Sequence, residues 1–168
     1  MTRARTVIAL CALAAIVAAG CGGDHEDSTA AGASTTARSL TKADYIAKSD
    51  AICGQANQTI RSLNLTIAGA LQQGDNQAAA NAVDTGLDRL RTLDSQIADL
   101  PMPAGDEGIL TRLNAARAQS LALIEHLGGA FADGDNARVQ RLTAQLDLVA
   151  KRTRAIAGPY GFQVCGQS

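Results

Sequence analysis

The chain has 168 residues, a formal net charge of −1, two Tyr, two Phe and no Trp. A near-neutral, mildly acidic chain gives no reason to expect nucleic acid as a partner, and so few aromatic rings argue against a site that stacks bases or sugars. Alanine is abundant and runs of β-branched residues are absent, so the composition favours helix and a single all-α domain.

Residues 1–20 have the pattern of a signal peptide. Arg3 and Arg5 precede an apolar segment at 7–17, which is shorter than the roughly 20 residues that span a bilayer. The segment ends in Ala18-Ala19-Gly20-Cys21, which resembles the lipobox of bacterial lipoproteins. We therefore expect Cys21 to carry a diacylglycerol that anchors the chain at the extracytoplasmic face of the cell membrane. The alternative is an ordinary secretory signal, with Cys21 incidental.

Residues 22–39 are rich in Gly, Ser, Thr and Ala and lack periodic apolar residues. Together with Cys21 they are predicted to form a disordered tether of about 20–25 Å. The segment Asp24-His25-Glu26-Asp27 contains metal-ligand residue types, but a flexible segment does not fix ligand geometry, so a solvated acidic patch is the preferred interpretation. Residues 40–168 then form the folded domain.

Residues 40–73 predict a long first helix, with Thr41 as N-cap and Asp44 as its reciprocal partner. Gly74 ends this helix, and Asp75 caps a second helix that ends before Pro101. Both helices carry apolar or small residues at alternating steps of three and four, which is the spacing of one packed face. In the first helix these are Ser49, Cys53, Ala56, Ile60, Leu63, Ile67 and Ala70.

The third helix is predicted to begin near 104–106 and to be interrupted at Gly128-Gly129. The fourth follows Asp135 and is predicted to end at Gly158-Pro159. The sequence Gly-Asp-Asn occurs at both 74–76 and 134–136. Because the connections are short, neighbouring helices are antiparallel, and the predicted architecture is an up-down-up-down four-helix bundle with a C-terminal tail.

Cys53 and Cys165 are the cysteines that remain outside the signal peptide and the lipobox. In the predicted bundle the last helix ends near the start of the first, and Cys53 lies about 18 Å along that helix. A tail of eight extended residues reaches up to about 26–29 Å, and an exported protein folds under oxidising conditions. We therefore predict a Cys53–Cys165 disulfide; two free buried thiols are the alternative.

Two segments resemble the ends of a group of secreted helical proteins from high-GC Gram-positive (actinobacterial) bacteria, many of them lipoproteins. The segments are Thr41–Cys53 and Tyr160–Gly166, and the loop Pro101-Met102-Pro103 is also similar. The resemblance implies a lineage and supports the disulfide, and it implies no activity.

Catalytic and metal-binding patterns are weak throughout the sequence. A di-metal centre in a helical bundle needs about four carboxylates and two histidines, whereas His126 is the only histidine in the predicted domain, and Glu125 beside it points elsewhere. The Asp and Arg residues of the helices, including Asp94 and Arg117, are predicted to form a solvated surface. We therefore expect no enzyme activity, no metal and no cofactor.

Two functions remain as hypotheses. The first is a non-enzymatic, membrane-anchored binding or accessory module of the cell envelope that presents a helix face to a protein partner. The second is a carrier or sensor of a small apolar ligand inside the bundle. The packed faces of the helices mix Ala, Gly and Ser with Leu, and Gly128-Gly129 could open the third helix, so the interior could hold an apolar cavity. Close packing through alanine would leave no such space, and that is the preferred interpretation from sequence.

The predicted anchor and disulfide are both tested by the intact mass of the protein extracted from its native membranes. We expect a chain that starts at Cys21 and carries a diacylglycerol, with a mass that rises by two hydrogens on reduction because one disulfide opens. A mass without the lipid would contradict the anchor, and a mass unchanged by reduction would contradict the disulfide.

Overall fold

The computed structural model describes residues 39–166, which form an antiparallel up-down-up-down bundle of four helices. In chain order they are α1 (Lys42–Gln72), α2 (Asn76–Ala98), α3 (Glu107–Ala132) and α4 (Asn136–Tyr160). Each helix packs against the next one along the chain. The predicted all-α fold class is confirmed, whereas the signal peptide, the tether and the lipidation site Cys21 lie outside the described residues and stay predictions.

Among the helices of residues 39–166, none contains a segment that is both long enough and apolar enough to cross a bilayer.

Side-chain caps fix three of the helix starts. Thr41 accepts from the backbone N–H of Asp44 at 3.1 Å and donates its hydroxyl to the Asp44 carboxylate at 2.7 Å. Asp75 and Asp135 accept from the N–H three residues later, at 2.8 and 2.9 Å. These bonds satisfy N–H groups that have no partner inside the helix. The predicted caps are therefore confirmed.

The two Gly-Asp-Asn sequences form equivalent turns. Gly74 and Gly134 have φ values of 72° and 65°, in the left-handed region that glycine adopts without steric cost. In each turn the N–H of the following Asp donates to the carbonyl five residues earlier at 3.0 Å. The same sequence therefore ends one helix and starts the next in both hairpins.

Two predicted helix breaks are wrong. The third helix runs without interruption through Gly128, which is buried against α2, where an added Cβ would lie 3.2 Å from the Val83 side chain. The fourth helix continues through Pro159 to Tyr160 and ends at Gly161, with φ of 116°. Pro159 removes one N–H in the last turn, and burial of the Tyr160 ring outweighs that loss.

Tyr160 is tied to the start of α3. Its hydroxyl donates to the Asp106 carboxylate at 2.7 Å, and its ring is buried beside Phe162 with 5.1 Å between ring centroids. Burial, followed by the hydrogen bond to Asp106, raises the pKa of the Tyr160 phenol above its ordinary value. The phenol therefore remains a hydrogen-bond donor across the physiological pH range.

The C-terminal tail is fixed to α1 by a covalent bond and by one carboxylate. Cys53 and Cys165 form the predicted disulfide, with a Cα–Cα distance of 5.2 Å and a sequence separation of 112. By the chain-entropy argument a loop of that size contributes about 5 kcal/mol. Asp50 accepts the backbone N–H groups of Gln163, Val164 and Cys165 at 2.8, 3.0 and 2.8 Å.

The backbones of the first and last helices stay apart, and their side chains meet at one pole, where the Lys42 Nζ lies 4.1 Å from the Tyr160 ring centroid. No Cα of α1 lies within 8 Å of a Cα of α4, and the tail occupies the space between them at one pole. On one side Cys165 is bonded to α1, and on the other an added Cβ on Gly166 would lie 2.9 Å from the Ala157 side chain of α4. The bundle is therefore closed by the tail at this pole.

Replacing Asp50 tests the contribution of this carboxylate to stability. Asp50→Ala removes the acceptor of three charge-assisted bonds and should lower the free energy of unfolding by about 2–4 kcal/mol, measured by urea denaturation with the disulfide intact. Asp84→Ala is the matched control, since Asp84 is an exposed residue in the middle of a helix, and it should change stability by less than about 0.5 kcal/mol. Equal effects would show that the tail is held by the disulfide alone.

Candidate functional site

An apolar groove runs between α1 and α4. Its cavity volume is about 550 Å³, its floor is formed by α2 and α3, and the tail lies at one end. From Ser49 to Ile67 along α1 the groove extends about 27 Å at the helical rise per residue. Its length follows directly from the separation between the backbones of the first and last helices.

The wall on the α1 side is an incompletely covered apolar stripe. Ile52, Ile60 and Ile67 line the groove and are only half-buried. Between Ser49 and Ala70 no residue of α1 is fully buried. The sequence correctly placed these residues on one face, but much of that face is turned toward open space and not toward a fourth helix.

The floor of the groove is also apolar. Leu90 and Leu93 of α2 are buried there, whereas Leu121, Ile124 and Leu127 of α3 are half-buried. The buried core accordingly falls into three separate clusters: one at the tail pole, one joining the first three helices at the opposite pole, and one between α3 and α4. The middle of the bundle is held by pairwise contacts and lacks a common centre.

The wall on the α4 side is smaller and more polar than the wall it faces. Thr143, Asp147, Ala150 and Thr153 line it, with Leu146 as the large apolar side chain among them. Thr143 and Asp147 are exposed. Bringing this wall against the isoleucines of α1 would bury a carboxylate without a partner, which is strongly unfavourable. The sequence of α4 therefore keeps the groove open.

A charged pair lies inside the groove. The Nε of Arg117 on α3 is 2.6 Å from an Asp94 carboxylate oxygen on α2, and the two side chains are 24% and 28% exposed. Both residues belong to the lining. The prediction that they form part of a solvated surface is therefore wrong, because α2 and α3 bring the two residues together in a partly covered site. Screening by water is weaker there than for an exposed pair.

A lone hydroxyl lies at the tail end of the groove. Ser49 is 1% exposed, and its Oγ has no hydrogen-bond partner among the described protein atoms. Tyr45, Cys53 and Phe162 line the same end. The sequence treated Ser49 as a small core residue, and its burial confirms that placement.

Within residues 39–166 no group of three or more His, Cys, Asp or Glu side chains is placed to hold a metal ion. His126 is exposed on α3 and does not line the groove. The disulfide residues Cys53 and Cys165 meet at the tail end of the groove, where they fix its shape.

The sequence analysis missed one feature of the site and gave another only as its less favoured alternative, because it preferred close packing through alanine. One is the role of Asp50, which stands one helical turn before Cys53 and therefore on the same side of α1. The other is the groove itself, for which the polar residues Thr143 and Asp147 beside the apolar stripe of α4 were the available signal. A closed bundle would have placed both of them against α1.

No protein-family model matches this sequence, and no curated protein or solved structure shows significant similarity to the chain.

The buried hydroxyl of Ser49 generates a stability prediction. Ser49→Ala removes an oxygen without a protein partner and improves helix propensity, so it should raise the free energy of unfolding by about 1–2 kcal/mol. Ser62→Ala on the exposed face of the same helix gains only the propensity difference of about 0.5 kcal/mol. Chemical denaturation of both variants makes the comparison, and a less stable Ser49→Ala protein would contradict it.

Proposed function

We propose that this protein is a non-enzymatic, lipid-anchored binding module of the cell envelope that holds a single elongated apolar ligand between α1 and α4. The observation that carries the proposal is the groove. Its volume of about 550 Å³ lies within the range of roughly 300–1,000 Å³ typical of small-molecule sites, and such sites are mostly apolar with a few placed polar groups.

The dimensions of the groove favour one hydrocarbon chain. The groove extends about 27 Å along α1 at the helical rise per residue. The hydrocarbon core of a bilayer is about 30 Å thick and contains two opposed chains, so one membrane lipid chain spans about 15 Å. The groove is long enough for one such chain.

A protein partner is the competing occupant. A helix is about 10 Å across, so a helix laid along the groove would enter it with one face only. Most of such a helix would stand outside the groove, and its outer surface would need further support. The first hypothesis from sequence, a helix face for an envelope protein, is therefore the second candidate here.

The expected anchor is consistent with a lipid-type ligand. If Cys21 is acylated, a tether of about 20–25 Å keeps the domain close to the membrane surface, where single-chain amphiphiles are concentrated. The resemblance to secreted actinobacterial lipoproteins supports the same location. The anchor and the lineage are parts of the proposal, since neither falls on the described residues.

Filling the groove is a direct test of the proposal. The neutral dye N-phenyl-1-naphthylamine should bind the purified protein with increased fluorescence, and methyl dodecanoate should displace it and raise the melting temperature, because a ligand that binds only the folded state stabilises it. Ala56→Phe places a ring against the α1 wall, where Ala56 is half-buried and lines the groove, and should weaken binding of both compounds by about tenfold or more.

Ala47→Phe is the matched control. Ala47 is an exposed residue of the same helix outside the groove lining, so this variant should bind like the wild type. An Ala56→Phe protein that is strongly destabilised, with no dye binding to the wild type, would mean that α1 and α4 close on each other in solution, and the proposal would be wrong. Tight binding of an amphipathic helix with no binding of methyl dodecanoate would favour the protein partner.

A further inference from the structure

The groove contains a guanidinium whose hydrogen-bonding capacity is mostly unused. Arginine has five N–H donors, and among the described residues Arg117 has a bonded partner only for its Nε–H, the Asp94 carboxylate at 2.6 Å. The side chain lines the groove and is 24% exposed. The other donors of Arg117 can be solvated through the open side of the groove.

A purely hydrocarbon ligand would remove that solvation. Covering Arg117 with methylene groups excludes water from donors that have no protein acceptor, and an unsatisfied donor is expensive when it is bonded neither to water nor to protein. A ligand with an acceptor oxygen at this level replaces the lost water. Hydrogen bonds from a charged donor are among the stronger ones. The guanidinium therefore disfavours a purely hydrocarbon ligand and favours a ligand that carries an acceptor.

We infer that the ligand of the proposed binding function is a single-chain amphiphile whose acceptor oxygen, in an ester, amide or carboxylate, is bound by the Arg117 guanidinium. Asp94 is a positioning residue, because its bond to Nε fixes the plane of the guanidinium and leaves the terminal nitrogens to the ligand. The hydrocarbon chain then lies against the isoleucines of α1 and the leucines of α3. This inference rests on the proposed function, which concerns the hydrocarbon chain of the ligand and not the ligand's polar group.

The acidic residues of the groove do not favour a cationic head group. Asp94 is engaged by Arg117, and Asp147 is exposed on the α4 wall, where water and salt screen its charge. Lys151 follows Asp147 by one helical turn and is also exposed, which offsets the carboxylate further. Because Asp94 offsets the charge of Arg117, what the guanidinium offers a ligand head group is its unused N–H donors.

Three probes with the same hydrocarbon chain separate the possibilities. Methyl dodecanoate offers a neutral acceptor, dodecanoate an anionic acceptor, and dodecylammonium a cation that only donates. Displacement of N-phenyl-1-naphthylamine from the purified protein should show both acceptor probes binding about tenfold or more tightly than the ammonium probe. Equal affinity for the two acceptors would indicate hydrogen bonding alone, and a preference for dodecanoate would indicate a contribution from charge; both support the inference.

A double variant removes the guanidinium without leaving Asp94 as an unpaired carboxylate. Arg117→Met with Asp94→Asn keeps the side chains close to their original size and should reduce the acceptor preference, taken as the ratio of probe affinities for this variant, to less than about twofold. Arg91→Gln is the matched control, since Arg91 forms an exposed pair with Glu125 at 2.9 Å and does not line the groove. This variant should keep the full preference.

The outcomes distinguish failure of the inference from failure of the proposed function. If dodecylammonium binds as tightly as the acceptor probes, or if the preference survives in the double variant, Arg117 does not select the ligand and the inference is wrong, although the groove still binds a chain. If neither the dye nor any dodecyl probe binds the wild-type protein, the proposed function fails and the inference fails with it.

Discussion

The attachment of the C-terminal tail to α1 is the constraint on which the rest of the structure depends. One carboxylate, that of Asp50, accepts three consecutive backbone N–H groups, and a disulfide fixes the next turn of the same helix. The tail also packs against α4 through Gly166. The first and last helices are therefore joined through the tail although no Cα of one lies within 8 Å of a Cα of the other, and the tail sets their separation at that pole.

The groove stays open along the rest of the bundle because the α1 wall is apolar and the α4 wall that faces it is more polar. Closing it would gain about 25 cal/mol for each Å² of apolar surface buried, but it would also bury Asp147 and desolvate the Arg117–Asp94 pair, and removing unpaired charge from water costs several kcal/mol. Because this electrostatic cost offsets the hydrophobic gain, the half-buried isoleucines of α1 remain facing open space. An apolar ligand with a suitable polar group would recover the hydrophobic gain without burying the carboxylate.

Apart from the Cys53–Cys165 disulfide, the sequence predicted what depends on neighbouring residues and missed what depends on distant ones. Thr41 and Asp75 cap helices through bonds to N–H groups three residues away, so their roles can be recognised locally. Periodicity located the apolar face of α1 but carries no information on whether another helix covers that face. The predicted end at Pro159 was wrong because the burial of Tyr160 is a tertiary effect, and the Arg117–Asp94 pair joins two helices that were assessed separately.

The buried clusters at the two poles and the open groove between them affect how the groove can bind a ligand. Both poles have buried clusters, and the tail pole is covalently closed, so the walls have little freedom to move apart or together at their ends. A site that is already formed loses less conformational entropy on binding than one that must be assembled. Ligand affinity can then depend mainly on the residues that line the middle of the groove, and those residues can change without disturbing the clusters that hold the fold.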